Sequence, residues 1–152
     1  MIMELTLAVK IAVISSGFFL LMGMCTGIWK YCQIRYSDKA RAHYYVDIAH
    51  RASLMYASAT LILAVLAYYS AWSSTTNLFF VLGNVIFFAA AIFSYIVHGV
   101  LKDTTNQLQK PHKLGAWTLP SILMTLFMVA LIVAEVGCTL GLLLGASKTL
   151  FM

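Results

Sequence analysis

The stretch LFFVLGNVIFFAAAIFSYIVHGV, Leu78–Val100, decides the fold class because it is long, apolar and free of Asp, Glu, Lys and Arg. About 20 predominantly apolar residues form a helix that crosses a hydrocarbon core of about 30 Å. Three further runs qualify, Leu5–Trp29, Leu54–Trp72 and Leu114–Leu144. We expect the helix of the second run to begin near Asp38 or Ala42, and Pro120 falls in the first turns of the last. The sequence therefore predicts one four-span domain, with spans at about 5–29, 42–72, 76–100 and 112–144.

The composition agrees with a chain that lies in a lipid bilayer. Hydrophobic residues make up 62% of the 152 residues, and only 10% are charged, against about 25% in soluble domains. Short connections between four spans predict an all-α integral membrane protein, folded as an up-and-down antiparallel four-helix bundle. The net charge of +5 comes mainly from the loops, so it does not indicate a nucleic-acid partner.

The loop charges predict an orientation in the membrane. Eight lysines and arginines lie around the first and third connections: Lys30, Arg35, Lys39, Arg41, Arg51, Lys102, Lys110 and Lys113. The second connection, SAWSSTTN, carries no charge. By the positive-inside rule, connections one and three face the cytoplasm of a cell with an inner (plasma) membrane, and both termini lie on the outer, periplasmic side.

Small residues indicate where helices approach closely. Gly137, Gly141 and Gly145 form a double GxxxG ladder in the fourth span, and Gly23 and Gly27 form another in the first. Such ladders favour tight helix packing, within one chain or between subunits.

The polar stretch ARAHYYVDIAHR, residues 40–51, lies at the start of the second span. His43, Asp47 and His50 would share one helix face, and two histidines with a carboxylate are a known ligand set for iron or zinc. However, the two histidines stand about 10 Å apart along a helix, so one ion with bonds of about 2 Å cannot readily take both. Asp47 with either histidine could still bind an ion if another helix supplies a third ligand.

All the histidines of the chain fall on the predicted cytoplasmic side: His43, His50, His98 and His112. They could be ordinary polar residues at a membrane interface. A haem is the alternative, since one imidazole can hold the iron axially within an apolar, aromatic cleft. Aromatic residues at the span ends, among them Tyr44 and Phe88, could supply that cleft, and Arg41 could meet a propionate.

The residues Arg41-Ala42-His43 before the second span, with Asn84-Val85 in the third, resemble styrene oxide isomerase. That family consists of small four-helix membrane proteins that assemble as trimers and hold haem b between subunits through the histidine. The ferric iron acts as a Lewis acid on an aryl epoxide. The resemblance implies that His43 binds the metal and that a small apolar epoxide is the substrate. Arg41, Tyr44 and Phe88 are the further residues that we expect around the cofactor.

Two departures from that family concern its catalytic residues. The family's catalytic asparagine corresponds to Ala49, beside His50, and its catalytic tyrosine corresponds to Phe88. We therefore expect His50 and Asn84 to supply the polar catalytic groups. A single-haem redox or sensor protein, and a non-enzymatic membrane subunit, stay open as alternatives.

Two further polar features call for an explanation. The loop 98–115 is either a capped turn, with Asp103 or Thr105 as cap and Pro111 starting the fourth helix, or a lid or propionate-binding loop that offers His112 as a second axial ligand. Glu135 and Lys10 lie inside predicted spans, where charge is costly, and we expect them to form an ion pair. The alternatives are that Glu135 is an outer proton or substrate site and that Lys10 reaches the outer interface.

Overall fold

The computed structural model describes residues 5–152 and shows four long helices with a small β-hairpin. The elements are α1 (Leu7–Arg35), α2 (Tyr44–Tyr69), α3 (Ser74–Leu101), β1 (His112–Leu114), β2 (Trp117–Leu119) and α4 (Ser121–Phe151). Each of the four helices is long and apolar enough to cross a membrane. The prediction of four apolar helices is confirmed.

The helices pack as an antiparallel bundle in which α2 and α3 are central. The outer helix α1 packs chiefly on α2, whereas α4 packs on α3 and α2. We call the end where α1 and α3 finish, and where α2 and α4 begin, the hairpin end, because the β-hairpin lies between α3 and α4. The first turns of α1 and the last turns of α4 lie at the opposite end.

The glycine ladder of α1 forms a close contact with α2. A Cβ atom at Gly23 would stand 2.5 Å from Leu54 Cδ2, and one at Gly27 would stand 2.9 Å from the His50 ring. A side chain at either glycine would require the side chain of Leu54 or His50, or α2 itself, to shift. This ladder therefore packs within one chain.

The ladder of α4 is used only in part. A Cβ atom at Gly141 would meet the ring of Phe80, and one at Gly145 would meet Trp72, whose Nε1 donates to Gly141 O at 2.8 Å. A Cβ atom at Gly137 would meet nothing within 4 Å. Tight packing therefore reaches α4 through two of its three ladder glycines.

The prediction that the fourth helical span starts near residues 112–114 is wrong, because α4 begins only at Ser121. Residues 112–119 instead pair as an antiparallel hairpin. Gly115 has a φ of +61°, which a two-residue hairpin turn favours in glycine. Pro120 has no N–H to donate and stands just before the helix, which then continues past Leu144 to Phe151.

The later start of α4 also removes the predicted pair of Lys10 and Glu135. Glu135 is the fifteenth of the 31 residues of α4, about 21 Å of helix rise from its first residue. Lys10 lies in the first turn of α1, a helix that packs on α2 rather than α4, and it is exposed. Within residues 5–152, neither residue takes part in an ion pair.

Candidate functional site

A buried histidine–carboxylate pair lies at the hairpin end. His98 Nδ1 is 2.8 Å from Asp103 Oδ1, and each side chain is only 5% exposed. The other carboxylate oxygen, Oδ2, accepts a hydrogen bond from Gly115 N at 2.5 Å. Lys102 ends α3 in the left-handed conformation, with a φ of +51°, and so turns the chain back over the helix end. This turn brings Asp103 to a histidine one helical turn earlier.

The hydrogen bonds keep Asp103 ionised. Burial alone would raise the pKa of this carboxyl group, but the donors Gly115 N and His98 outweigh burial and hold the pKa below its ordinary value of 3.8. An ionised Asp103 accepts the proton that His98 carries on Nδ1, so Nε2 is the nitrogen left for other partners.

Gln107 ties the loop after α3 to two helices. Its backbone N–H donates to the Tyr45 hydroxyl at 2.5 Å, and its Oε1 accepts from Ser94 Oγ at 2.9 Å. Its carbonyl oxygen lies 3.1 Å from Nδ1 of His112, a residue that is 5% exposed. Pro111 and Thr105 do not start or cap α4. The loop is therefore a fixed cover over the end of α2 and α3.

An apolar cavity of about 410 Å³ lies between α3, the hairpin and α4. Its apolar walls include Phe93, Val97, Leu119, Leu123 and Phe127, and its polar groups are Ser94, His98 and Gln107. Binding sites for small molecules have this character, with apolar walls and a few polar groups that fix orientation. Ser94 Oγ and Gln107 Oε1 bond to each other, which leaves His98 and the side-chain NH2 group of Gln107 as polar groups available to a ligand.

His43, the predicted haem ligand, stands immediately before α2 as its N-cap. Its Nδ1 accepts from Tyr45 N at 3.4 Å, and its own N–H donates to Gln33 Oε1 at 2.8 Å. Burial, reinforced by the nearby Lys102 ammonium, lowers the pKa of His43 below its ordinary 6.5. The neutral imidazole is thus favoured, with Nε2 uncommitted among the described residues.

The surroundings of His43 in one chain do not fit a haem b. Two cavities of about 430 and 460 Å³ touch this residue, and their walls are mainly polar and cationic, with Arg41 and Lys102 among them. Tyr44, predicted to face the cofactor, is 52% exposed. These cations suit propionates, but an apolar cleft for the porphyrin would have to come from elsewhere.

The predicted catalytic and aromatic residues of α3 lie at another depth. Asn84 is fully buried, donates to Phe80 O and accepts from Thr139 Oγ1, both at 3.0 Å. Phe88 stacks on Tyr56, with ring centroids 4.2 Å apart. Fourteen residues of α3, about 21 Å of rise, separate Asn84 from His98. Within one chain, Asn84 and Phe88 therefore do not share a site with the hairpin-end histidines.

The His43–Asp47–His50 stripe is divided among different partners. His50 Nδ1 lies 2.8 Å from Gly23 O, so this side chain faces α1. Asp47 forms ion pairs with Lys30 at 2.5 Å and with Arg51 at 2.9 Å. Across residues 5–152, no three His, Cys, Asp or Glu side chains come close enough to hold a metal ion. A catalytic role for His50 stays a prediction.

Sequence reasoning missed the pairing of His98 with Asp103, although it singled out their loop. The signal was the density of polar residues between two spans, but spacing alone could not show which of them meet. Comparisons with family models, curated proteins and solved structures find no match for this chain.

Proposed function

We propose that this chain is a multi-pass membrane protein that binds a small, largely apolar molecule beside His98 and acts on it by general acid–base chemistry. One observation carries the proposal: a buried imidazole, held by a buried carboxylate, lines an apolar cavity. A histidine is suited to proton transfer near neutral pH, and the partner carboxylate fixes its tautomer.

Asp103 would orient His98, and His98 would exchange a proton with the substrate. Asp103 accepts the Nδ1 proton and so directs the Nε2 lone pair of neutral His98 towards a ligand. When Nε2 takes up a proton, the carboxylate stabilises the imidazolium that forms. The cycle needs a substrate with one oxygen or nitrogen that gains or loses a proton, on an otherwise apolar body that fits about 410 Å³.

Aryl epoxides are the first substrate class to test, since they are small, apolar and carry one oxygen. The resemblance to styrene oxide isomerase points to the same class. Imidazolium Nε2 would protonate the epoxide oxygen as its bond to the benzylic carbon breaks, and a hydride would shift from the terminal carbon to the benzylic carbon. Neutral His98 would then take back the proton on the oxygen as the aldehyde C=O forms. Atoms and charge balance within the substrate and this one histidine, so the overall change is an isomerisation.

The membrane placement is part of the proposal. The eight lysines and arginines around the first and third connections lie at or near the hairpin end, which supports a cytoplasmic position for it. Both termini would then face outwards from an inner (plasma) membrane. The substrate would partition into the bilayer before it reaches the cavity.

The test uses styrene oxide with the full-length protein in detergent. Saturation-transfer NMR measures binding, and gas chromatography measures phenylacetaldehyde. We expect His98→Gln and Asp103→Asn to lose product formation, whereas Asp38→Asn, the same change in an exposed connection, retains it. Unchanged turnover in His98→Gln, or no binding by the unaltered protein, would overturn the proposal. Loss in His50→Gln alone would move the chemistry to that residue.

Haem b at His43 is a second candidate, favoured by its uncommitted Nε2 and by the cations beside it. A second copy of the chain would have to supply the apolar face, as in the trimers of the resembled family. A Soret band after haem addition that His43→Ala abolishes would support this candidate, and a colourless product would contradict it. Reduction of that haem by a cellular donor, without epoxide turnover, would favour the redox alternative.

A further inference from the structure

A second cleft, of about 400 Å³, lies between α3 and α4 near the middle of the bundle. Its polar groups are Asn84, Thr139 and Glu135, and its apolar groups are Phe88, Val136, Leu140 and Leu143. Val136 is 63% exposed and Leu140 is 51% exposed, so the cleft opens at the outer surface of the bundle. It is distinct from the cavity at His98, and nothing in the proposed function uses it.

Glu135 is the polar group of this cleft that has an oxygen without a hydrogen-bond donor. Its Oε1 atom is buried and accepts no hydrogen bond within residues 5–152. An uncompensated carboxylate at mid-membrane depth is costly, and such residues mark the paths or sites of ions and substrates. The oxygen therefore needs a donor or a positive charge that the described chain does not provide.

The other polar groups of the cleft are already engaged. Thr139 Oγ1 donates to Asn84 Oδ1, and the Asn84 amide donates to Phe80 O. No group of the described residues donates a hydrogen bond to Glu135 Oε1. What the cleft lacks is a hydrogen-bond donor or a positive charge for Glu135 Oε1, set among aromatic and aliphatic walls.

We propose that this cleft binds an organic cation with an apolar body, of the class of quaternary or protonated amines. Glu135 pairs with the charge, and Phe88, Val136, Leu140 and Leu143 contact the apolar body. A bare inorganic cation fits less well. Calcium takes six to eight oxygen ligands, and this cleft offers one carboxylate with an amide and a hydroxyl.

The probe is benzyltrimethylammonium, and neopentylbenzene is its neutral counterpart of the same shape. Isothermal titration calorimetry on the full-length protein in detergent measures the cation, and saturation-transfer NMR compares the two probes. We expect the cation to bind and the neutral probe to bind more weakly. Glu135→Gln keeps the size of the side chain, removes its charge and should weaken cation binding by more than about tenfold.

Two further variants keep the test decisive. Asp38→Asn makes the same chemical change in an exposed connection and should bind the cation like the unaltered protein. Leu140→Trp fills the cleft but leaves Glu135 in place, so it tests the site even if Glu135→Gln does not fold. Equal affinity for the two probes, or unchanged cation binding in both Glu135→Gln and Leu140→Trp, would overturn the proposal.

Discussion

The buried carboxyl group of Asp103, at the hairpin end, and the half-buried Glu135, near the middle of α4, have opposite surroundings in the same chain. Asp103 has a partner on each oxygen, His98 on Oδ1 and Gly115 N on Oδ2. Glu135 has a buried Oε1 with no donor within residues 5–152. Buried polar groups are normally satisfied, so the first carboxylate is complete within the fold whereas the second needs a group from outside it.

The largest effect should follow from removing the satisfied carboxylate. Asp103→Ala leaves the N–H of buried His98 and that of half-buried Gly115 without an acceptor, and an orphaned buried donor costs about 1–3 kcal/mol. We expect a loss of about 3 kcal/mol in the free energy of unfolding, measured by urea titration in detergent micelles. Hydrogen exchange at Gly115 N should accelerate, because the hairpin loses its anchor. Asp38→Ala, in an exposed turn, should change neither quantity.

The hydrogen bonds to Asp103 also determine how the stability of the fold changes with pH. The pKa of Asp103 is lowered in the folded chain, so the carboxylate stabilises the fold at pH values above its ordinary 3.8. That stability is lost as the pH falls below this value, through the folded pKa. Unaltered protein and Asp103→Ala should therefore converge in stability in acid. A gap that persists well below pH 3.8 would contradict the ionised pair.

Removing the carboxyl group of Glu135 should change the free energy of unfolding in the opposite direction from Asp103→Ala. Replacing even a buried ion pair with well-packed apolar residues is often neutral or stabilising by about 1–4 kcal/mol, and Glu135 has no partner in an ion pair among the described residues. Glu135→Leu should raise the free energy of unfolding by about 1–2 kcal/mol while it abolishes cation binding. A marked loss of stability would show instead that the folded chain compensates this carboxylate, and it would erase the contrast with Asp103.

Tyr45→Phe tests how much of the hairpin end rests on its loop anchor. The change removes the acceptor of Gln107 N and keeps the ring that packs 5.0 Å from His98. One lost hydrogen bond predicts destabilisation of about 1 kcal/mol. Tyr44→Phe is the matched control, since Tyr44 is exposed beside it. Equal effects of the two changes would mean that Gln107 is held by Ser94 alone.

The sequence predicts the helices better than the site because helices follow local composition, whereas the site depends on contacts between distant residues. Apolar length was enough to locate four helices, and Gly23 and Gly27 correctly indicated a close helix contact. The start of α4 was misplaced because apolar residues continue through the hairpin. In this segment, Gly115 turns the chain with a positive φ, and Pro120, which has no N–H, stands between the second strand and the start of α4.

The candidate sites show the same limit more strongly. His98 and Asp103 are five residues apart, a spacing that predicts no contact unless Lys102 turns the chain back. The error over Glu135 followed from the error over α4, since its depth was counted from a helix end that lies elsewhere. The apolar sequence pattern placed Asn84 on a helix, but it could not predict that Asn84 contacts Thr139 of α4.

The smallest effect on stability is expected in the cleft between α3 and α4. There the hydrogen bond between Thr139 and Asn84 can be tested separately from the unpaired Oε1 of Glu135. Thr139→Val removes the donor to Asn84 Oδ1 and keeps the shape of the side chain. Hydrogen bonds between membrane helices average about 0.6 kcal/mol, so we expect destabilisation of that order in urea titration. Thr125→Val is the control, because Thr125 bonds only within its own helix, to Ser121 O. If Thr139→Val also weakens binding of benzyltrimethylammonium while Thr125→Val does not, the Asn84–Thr139 bond sets the shape of the site around Glu135. If it lowers stability alone, that bond joins α3 to α4, and the site depends on the unpaired carboxylate.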